Sequence, residues 1–447
     1  MPFEISINYD FVSSLATRSF FSLIWFYFSS GGWIIFLIFI FWATIKLVNF
    51  RLIKKKKKQI KYSLLSVDVP KNNESGPEVT ERLFAHLATA GSTSGFNTSF
   101  SGLKIKPSFS FEITSDGGKI QFLVRTPEGF RDLIESAFYG EYPNAEIREV
   151  DDYTQDAPDV FPDPEYDVWG AEIILYNKDV YPIRTYPAFE HSLSGEFKDP
   201  MSNFLEVFNR IKKGEKIWIQ IIISFAGLAW KKRGESLVNQ LIGKKNKNES
   251  EGISGFLGNL VGWVFGGLSN FVYEIFSGGE KVGEGEKTFT KEAPPSLISY
   301  LSPGEKDKVS AVEKKISKIG FKTKIRFIYL AEKEVFDTHR AVPGILGALN
   351  QFNTLDMNGF KPDNFVKTQP SPLDFFPVKK MNKMKKELMR GYKSRSSSRG
   401  SNPYVLNIEE LATIYHFPVV SVEAPLIKKT GSKRGEPPFS LPVKEAF

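Results

Sequence analysis

The sequence predicts an α+β chain: an N-terminal transmembrane helix, then ferredoxin-like split βαβ units forming an antiparallel sheet with helices on one face. Three observations predict it. Residues 19–45 carry no charge. Downstream, segments alternating apolar and polar residues, the period of a strand, are interleaved with segments of helical period. Over 119–225 these segments run strand–helix–strand–strand–helix–strand, the order of a split βαβ.

The uncharged run comes first. About 20 apolar residues cross a hydrocarbon core of roughly 30 Å, so the run can span once but cannot double back. The expected span is about 24–46, with Trp25, Tyr27 and Trp42 near the interfaces. Behind it stand Lys46, Arg51, Lys54, Lys55, Lys56, Lys57, Lys58 and Lys61, with no acidic residue among them. Those side chains account for the whole formal charge of +8, so the rest of the chain is balanced. A signal peptide would carry its cations ahead of the apolar run, not behind it. The positive-inside rule therefore predicts a single-pass protein of the inner cell membrane, N-terminus outside and residues 51–447 cytoplasmic. The same cations attract anionic headgroups by roughly 1 kcal/mol each near the surface.

Next, 62–70 reads as a short strand and about 77–90 as a helix with Val79, Leu83, Phe84 and Leu87 on one face. SFSFEIT (108–114) and KIQFLVRT (119–126) flank Ser-Asp-Gly-Gly, a hairpin signal. Pro127 opens a helix with Phe130, Leu133, Ile134, Ala137 and Phe138 inward, and strands follow at 144–150 and 169–176. Asp199-Pro200 starts a helix carrying Phe204, Leu205, Phe208 and Ile211, and KIWIQIIISF (216–225) is an apolar strand. Ser302 and Glu305 form a capping box for a helix reaching Gly320, ahead of the strand FKTKIRFIYLA and a helix over about 334–350. Between these units, 253–276 has a helical apolar period with Gly258, Gly262 and Gly266 every fourth residue. It reads as an amphipathic insert, with bilayer contact or self-association as its sharper meaning. The expected segmentation is 1–61, 62–104, 105–235, 236–297, 298–365 and 366–447.

The chemistry is mostly exclusion. With no cysteine there is no disulfide, thiolate metal site or thiol nucleophile, and the four histidines are scattered. No G-x-x-x-x-G-K-[ST], G-x-S-x-G or H-E-x-x-H occurs, so no enzyme, cofactor or metal site is expected. The segment 378–400 is basic, and Lys379, Lys380, Lys383, Lys385, Lys386, Arg390 and Lys393 are its candidate nucleic-acid contacts. A solvated basic face beside a partner or membrane is the preferred reading, because only Tyr392 offers a stacking ring.

Two stretches carry a family resemblance. FSFEITSDGGKIQFLVRTPEGFRDLIESAFYGEYPNAEIREVDDY (109–153) resembles the N-terminal domain of bacterial type IV secretion and conjugative-coupling ATPases of the HerA/FtsK-like superfamily. VLNIEELATIYHFPVVSVEAPLIKKTGSKRGEPPFSLP (405–442) is similar to the segment those ATPases place just before their motor core. In those relatives a P-loop motor follows; this chain ends at Phe447. The resemblance thus implies a non-enzymatic, membrane-anchored scaffold whose partners are the lipid bilayer and a separately encoded P-loop ATPase. Glu409, Glu410, His416, Phe417 and Pro418 match the pre-motor motif and are the docking candidates; a capped helix packed into the domain is the other reading of them. The alternative function is a membrane-surface nucleic-acid binder using 51–61 and 379–399.

Overall fold

A computed structural model describes residues 33–70, 75–93, 96–97, 104–105, 107–189, 198–243, 301–364, 367–368 and 376–419. They fall into two units, 1–61 with 97–105 and 62–96 with 106–447. In the first, α1 (Trp33–Gln59) is one helix, and β2 (Phe96–Asn97) pairs with β3 (Lys104–Ile105).

The expected transmembrane helix is corrected here. Among the described residues no helix is long and apolar enough to cross a membrane. The described helix runs Trp33–Gln59, and within it the turns from Trp33 through Ile45 precede the first charge, Lys46. At 1.5 Å per residue those turns measure about 20 Å, short of a roughly 30 Å core.

The second unit is one antiparallel sheet. Its strands are β1 (Tyr62–Asp68), β4 (Phe109–Asp116), β5 (Lys119–Pro127), β6 (Glu146–Glu149), β7 (Tyr166–Leu175), β8 (Glu215–Phe225), β9 (Gly320–Glu332), β10 (Phe360–Pro362) and β11 (Tyr404–Asn407). Their order is β10-β7-β9-β8-β4-β5-β1-β6, with β11 also on β9. The helices are α2 (Pro77–Thr93), α3 (Arg131–Glu141), α4 (Met201–Asn209), α5 (Ala229–Leu241), α6 (Pro303–Ser317), α7 (Thr338–Asn350), α8 (Pro377–Lys393) and α9 (Ile408–Ile414).

Chain order and sheet order together reveal a duplication of architecture. β1–α2–β4–β5–α3–β6 is a βαββαβ run whose strands lie in the order second, third, first, fourth. β7–α4–β8–β9–α7–β10 repeats both the run and the order. The second strands of the two runs join, Phe109 opposite Ile223 through Asp116 opposite Lys216, around a pseudo-two-fold axis between β4 and β8. The frame read from the sequence, 119–225, straddles this join. β6 pairs with β1 rather than β7, because the strand 62–68 is the first of its run.

Period-2 alternation sorts the side chains. Phe109, Phe111 and Ile113 of β4 and Ile217, Ile219, Ile221 and Ile223 of β8 enter the main core, beneath α2, α3, α4, α7 and α9. The intervening Ser110, Glu112, Trp218 and Gln220 point to the second face, which is not open either. The 151–165 segment and α8 cover it through Ala157, Phe161, Leu388, Met389 and Tyr392. In the first run β4 and β5 meet in a tight turn in which Gly117 and Gly118 take positive φ, as Ser-Asp-Gly-Gly leads one to expect. In the second run the equivalent β8–β9 connection is opened by 226–319, which carries α5 and α6 packed on each other through Trp230, Gly234, Val238, Val312 and Ile316. The Gly-rich stretch 253–276 inside it lies outside the described residues.

Candidate functional site

The basic segment 378–400 forms α8 and the loop after it, lying across the second face of the sheet. Three of its cations answer acids that the strands and the 151–165 segment present. Lys385 pairs with Asp167, and Lys393 with Asp159 and the Ala157 carbonyl. Arg395, in the left-handed region at φ 46°, places its guanidinium between Glu112 and Asp152, with Nε donating to Glu112 Oε1 at 3.1 Å. Burial works against that guanidinium, yet the Glu112 charge and the Asp152 contact raise its pKa far above normal. Asp152, pushed up by burial, is held below the usual carboxylate range by Arg395 and by Thr154. The phenols of Tyr153 and Tyr392, 2.8 Å apart, are raised by burial and by Glu112, so both stay neutral.

Beside this cluster Arg326 donates to Glu172 at 2.8 Å and to the carbonyls of Gly391, Ser396 and Arg399. Gly391 lies against that guanidinium, and a Cβ there would sit 3.5 Å from it. Gly170 lets α8 approach the sheet: a Cβ there would lie 2.6 Å from both Leu388 Cδ2 and the Phe327 carbonyl. The segment is therefore a strap whose charges close on the sheet. Of the nucleic-acid candidates, Lys385 and Lys393 are spent in these pairs and Arg390 contacts Glu387. Lys379, Lys380 and Lys383 are exposed and Lys386 half-buried.

The pre-motor-like residues build β11 and α9. Asn407 caps α9 by accepting from Glu410 N–H, and Glu410 reaches back to Asn407 N–H, a full capping box. Glu410 also meets Lys315 Nζ at 3.0 Å, both side chains fully buried; burial raises its carboxyl, an effect Lys315 opposes. Glu409, pushed up by burial, is brought below normal by Lys318 at 2.6 Å and by the Thr185 hydroxyl. His416 Nδ1 donates to the Ala412 carbonyl at 2.7 Å, and Nε2 stands 2.8 Å from Asp199 Oδ1. Asp199 in turn accepts from Met201 N–H and Val419 N–H; burial raises it, but His416 and those amides hold it below normal. Phe417 packs among Phe122, Phe138, Tyr142 and Tyr415. Of the docking candidates only Pro418 is even half-exposed. The packed, capped helix is thus the arrangement the chain has, with Glu409, Glu410, His416 and Phe417 buried in it.

The remaining candidate is α1. Phe39, Phe41 and Phe50 are 61%, 69% and 67% exposed, and Leu37, Ile38, Trp42 and Val48 are exposed too. Lys46 lies 5.4 Å from the Trp42 ring, and Arg51 and Lys61 are exposed; the side chains of Lys54 to Lys58 lie outside the described residues. Among the described residues no cluster of His, Asp or Glu is arranged to hold a metal ion. The interior cavity between Ile113, Ile219, Phe204 and Ile414 measures about 20 Å³ and is apolar, room for one water and nothing larger.

A family model described as a domain of unknown function, DUF8128, matches residues 52–430. The chain belongs to the DUF8128 family. No curated protein matches it. The DUF8128 region takes in the lysine run, the whole sheet, the strap and α9, and leaves the apolar turns of α1 before it.

Proposed function

We propose that this DUF8128 protein is a non-enzymatic, membrane-associated scaffold of a type IV secretion or conjugation-like translocation machine, with its sheet unit in the cytoplasm and a separate P-loop ATPase as partner. The observation that carries the membrane part is α1. Its apolar side chains are exposed on every side, and five consecutive lysines follow in the same helix. Burying each large apolar side chain is worth about 1.5–3 kcal/mol. The lysines add roughly 1 kcal/mol apiece at an anionic surface. About 20 Å of uncharged helix enters one leaflet without crossing the bilayer, with the lysines left among the headgroups.

Assignment to a translocation machine rests on the resemblance of 109–153, which forms β4 through β6, and of 405–442, whose described part forms β11 and α9. The sheet unit suits a scaffold: its fully buried charges such as Glu172 with Arg326, Glu112 with Arg395 and Glu410 with Lys315 are used on one another. The membrane part is tested by flotation of the full chain with phosphatidylglycerol vesicles. Binding should vanish when Lys54 to Lys58 become glutamate and Phe39 and Phe41 become serine; binding that survives both changes refutes it. The partner is tested by copurification from membranes, with absence of any P-loop ATPase as the refuting result. Exposed Lys379, Lys380 and Lys383 favour the nucleic-acid reading only if their neutralisation abolishes salt-sensitive DNA binding.

A further inference from the structure

We infer that the end of the sheet at which β1 begins is a second contact with the same anionic lipid surface, made by Leu228, Lys231, Lys232 and Lys322. The inference rests on the membrane reading of α1. Only Ile60 and Lys61 separate the last residue of α1, Gln59, from Tyr62, the first of β1. That is about 10 Å of extended chain, so the sheet end at Tyr62 cannot stand far from the headgroup layer that holds the lysine run.

The strand registers say what else lies at that end. Tyr62 is opposite Pro127, the last residue of β5, and Ser110, near the start of β4, is opposite Arg125. Phe109 is opposite Ile223, and Phe225 opposite Phe321. The starts of β1, β4 and β9 and the ends of β5 and β8 therefore share one end. Beyond Phe225 the chain turns through Gly227, at φ 73°, into α5. Leu228 is 75% exposed, an unusual fate for a leucine beside two packed helices. Lys231 and Lys232 follow it at i+3 and i+4, on the same helical face, and both are exposed. Lys231 has a 4.0 Å contact with Glu235 one turn on. Lys322 is exposed on β9, opposite Ser224, and Ile319 is 36% exposed just before it. Exposed acids stand at this end too: Glu128 and Asp132 after β5, Glu149 at the end of β6, which pairs with Arg131, and Glu235 beside Lys231.

An exposed leucine among amines, three to four strand spacings from the β1 entry, fits the boundary between headgroups and acyl chains. The other exposed basic patch is excluded by the same geometry. α8 is fixed by Lys385 on Asp167, and the neighbouring Tyr166 is opposite Glu332, at the other end of the sheet. β8 alone separates the two ends by about 35 Å, so Lys379 and Lys383 lie towards the opposite end of the sheet from Tyr62.

Because the chain has no cysteine, a single introduced thiol is a unique label. Leu228→Cys and Lys383→Cys proteins, each carrying an environment-sensitive fluorophore, are mixed as full chains with phosphatidylglycerol vesicles. The label at 228 should shift blue and be quenched by brominated phosphatidylglycerol, while the label at 383 stays in water. Lys231→Gln with Lys232→Gln should lower partitioning on the order of 30-fold, in a salt-dependent way. A silent label at 228 on protein that still floats through α1 overturns this inference and leaves the membrane reading standing. Loss of flotation altogether overturns both. A shift at 228 produced by DNA and not by vesicles assigns the patch to phosphate backbone and overturns the lipid.

Discussion

Arg395→Ala is the sharpest perturbation of the strap. The Arg395 side chain is 2% exposed and Glu112 not exposed at all, so solvent cannot take over the lost partner. Removing the guanidinium leaves Glu112 with Ser110, Tyr153 and Gln220 as donors but no hydrogen-bonded countercharge; Arg125 acts on it only at longer range. Breaking a buried pair by deleting one member costs about 3–5 kcal/mol. For a unit of this size that lowers Tm by roughly 10 °C. The left-handed backbone at 395 adds a second test. A non-glycine residue there costs about 1–2 kcal/mol, so Arg395→Gly should be the milder variant by about that much. Adding Glu112→Gln to Arg395→Ala should restore part of the loss, because the orphaned charge goes with it. Trp218 lies against both Tyr153 and Tyr392, which makes tryptophan fluorescence in a urea titration the natural assay. If Arg395→Ala falls within about 0.5 kcal/mol of the parent, or the double variant is worse than additive, the strap is not held by its charges.

Gly170→Ala should cost about 1–3 kcal/mol, because its Cβ would meet the Phe327 carbonyl as well as Leu388; amide exchange should show α8 losing protection first. Lys315→Met, which leaves Glu410 buried without its cation, should cost about 3 kcal/mol by urea titration. Burial pushes the Tyr142 phenol up to about 12, with the Thr80 hydroxyl 2.7 Å away opposing it. The unfolded chain loses this proton first, so stability should hold to about pH 10 and fall towards pH 12, and Tyr142→Phe should flatten that limb. Asp152, Asp199 and Glu409 lie below their usual values, so their contribution is present above about pH 4 and lost as pH falls through their folded values. Asp199→Asn should blunt the acid limb.

Local pattern was legible where one face decides it. The alternation Phe109, Phe111, Ile113 against Ser110, Glu112, Thr114 announced both a strand and a polar second face, and Ser-Asp-Gly-Gly announced its turn. Pairing was not legible. The join of β4 to β8 links segments about a hundred residues apart, and nothing in either strand names the other. The strand 62–68 could not be assigned to a run because its partners, Pro127 and Glu149, lie beyond a helix and a hairpin. The basic segment misled for the same reason: Arg395 finds Glu112 across 283 positions, so counting local charge could not distinguish a solvated face from a strap. Glu112 and Gln220, polar residues in the middle of apolar strands, were the available signal that something charged covers them. In the pre-motor-like stretch, Asn407 three residues before Glu410 already had the form of a capping box.

The two βαββαβ runs are equivalent in topology but are used differently. In the first, β4 and β5 close directly; in the second, the matching connection carries α5 and α6 out from the sheet end at which β1 begins. Meanwhile α9 packs against α2 and lays Ile414 beside Ile113 of β4 and Ile219 of β8, directly under the seam between the runs. A segment that locks the seam cannot also be the face a partner reads without unfolding Glu410 from Lys315 and His416 from Asp199. Within this motif the half-exposed described residues an ATPase could meet are Pro418 and Val419. Substitutions at Glu409, Glu410 or His416 should act on docking only through stability, losing partner binding in step with Tm.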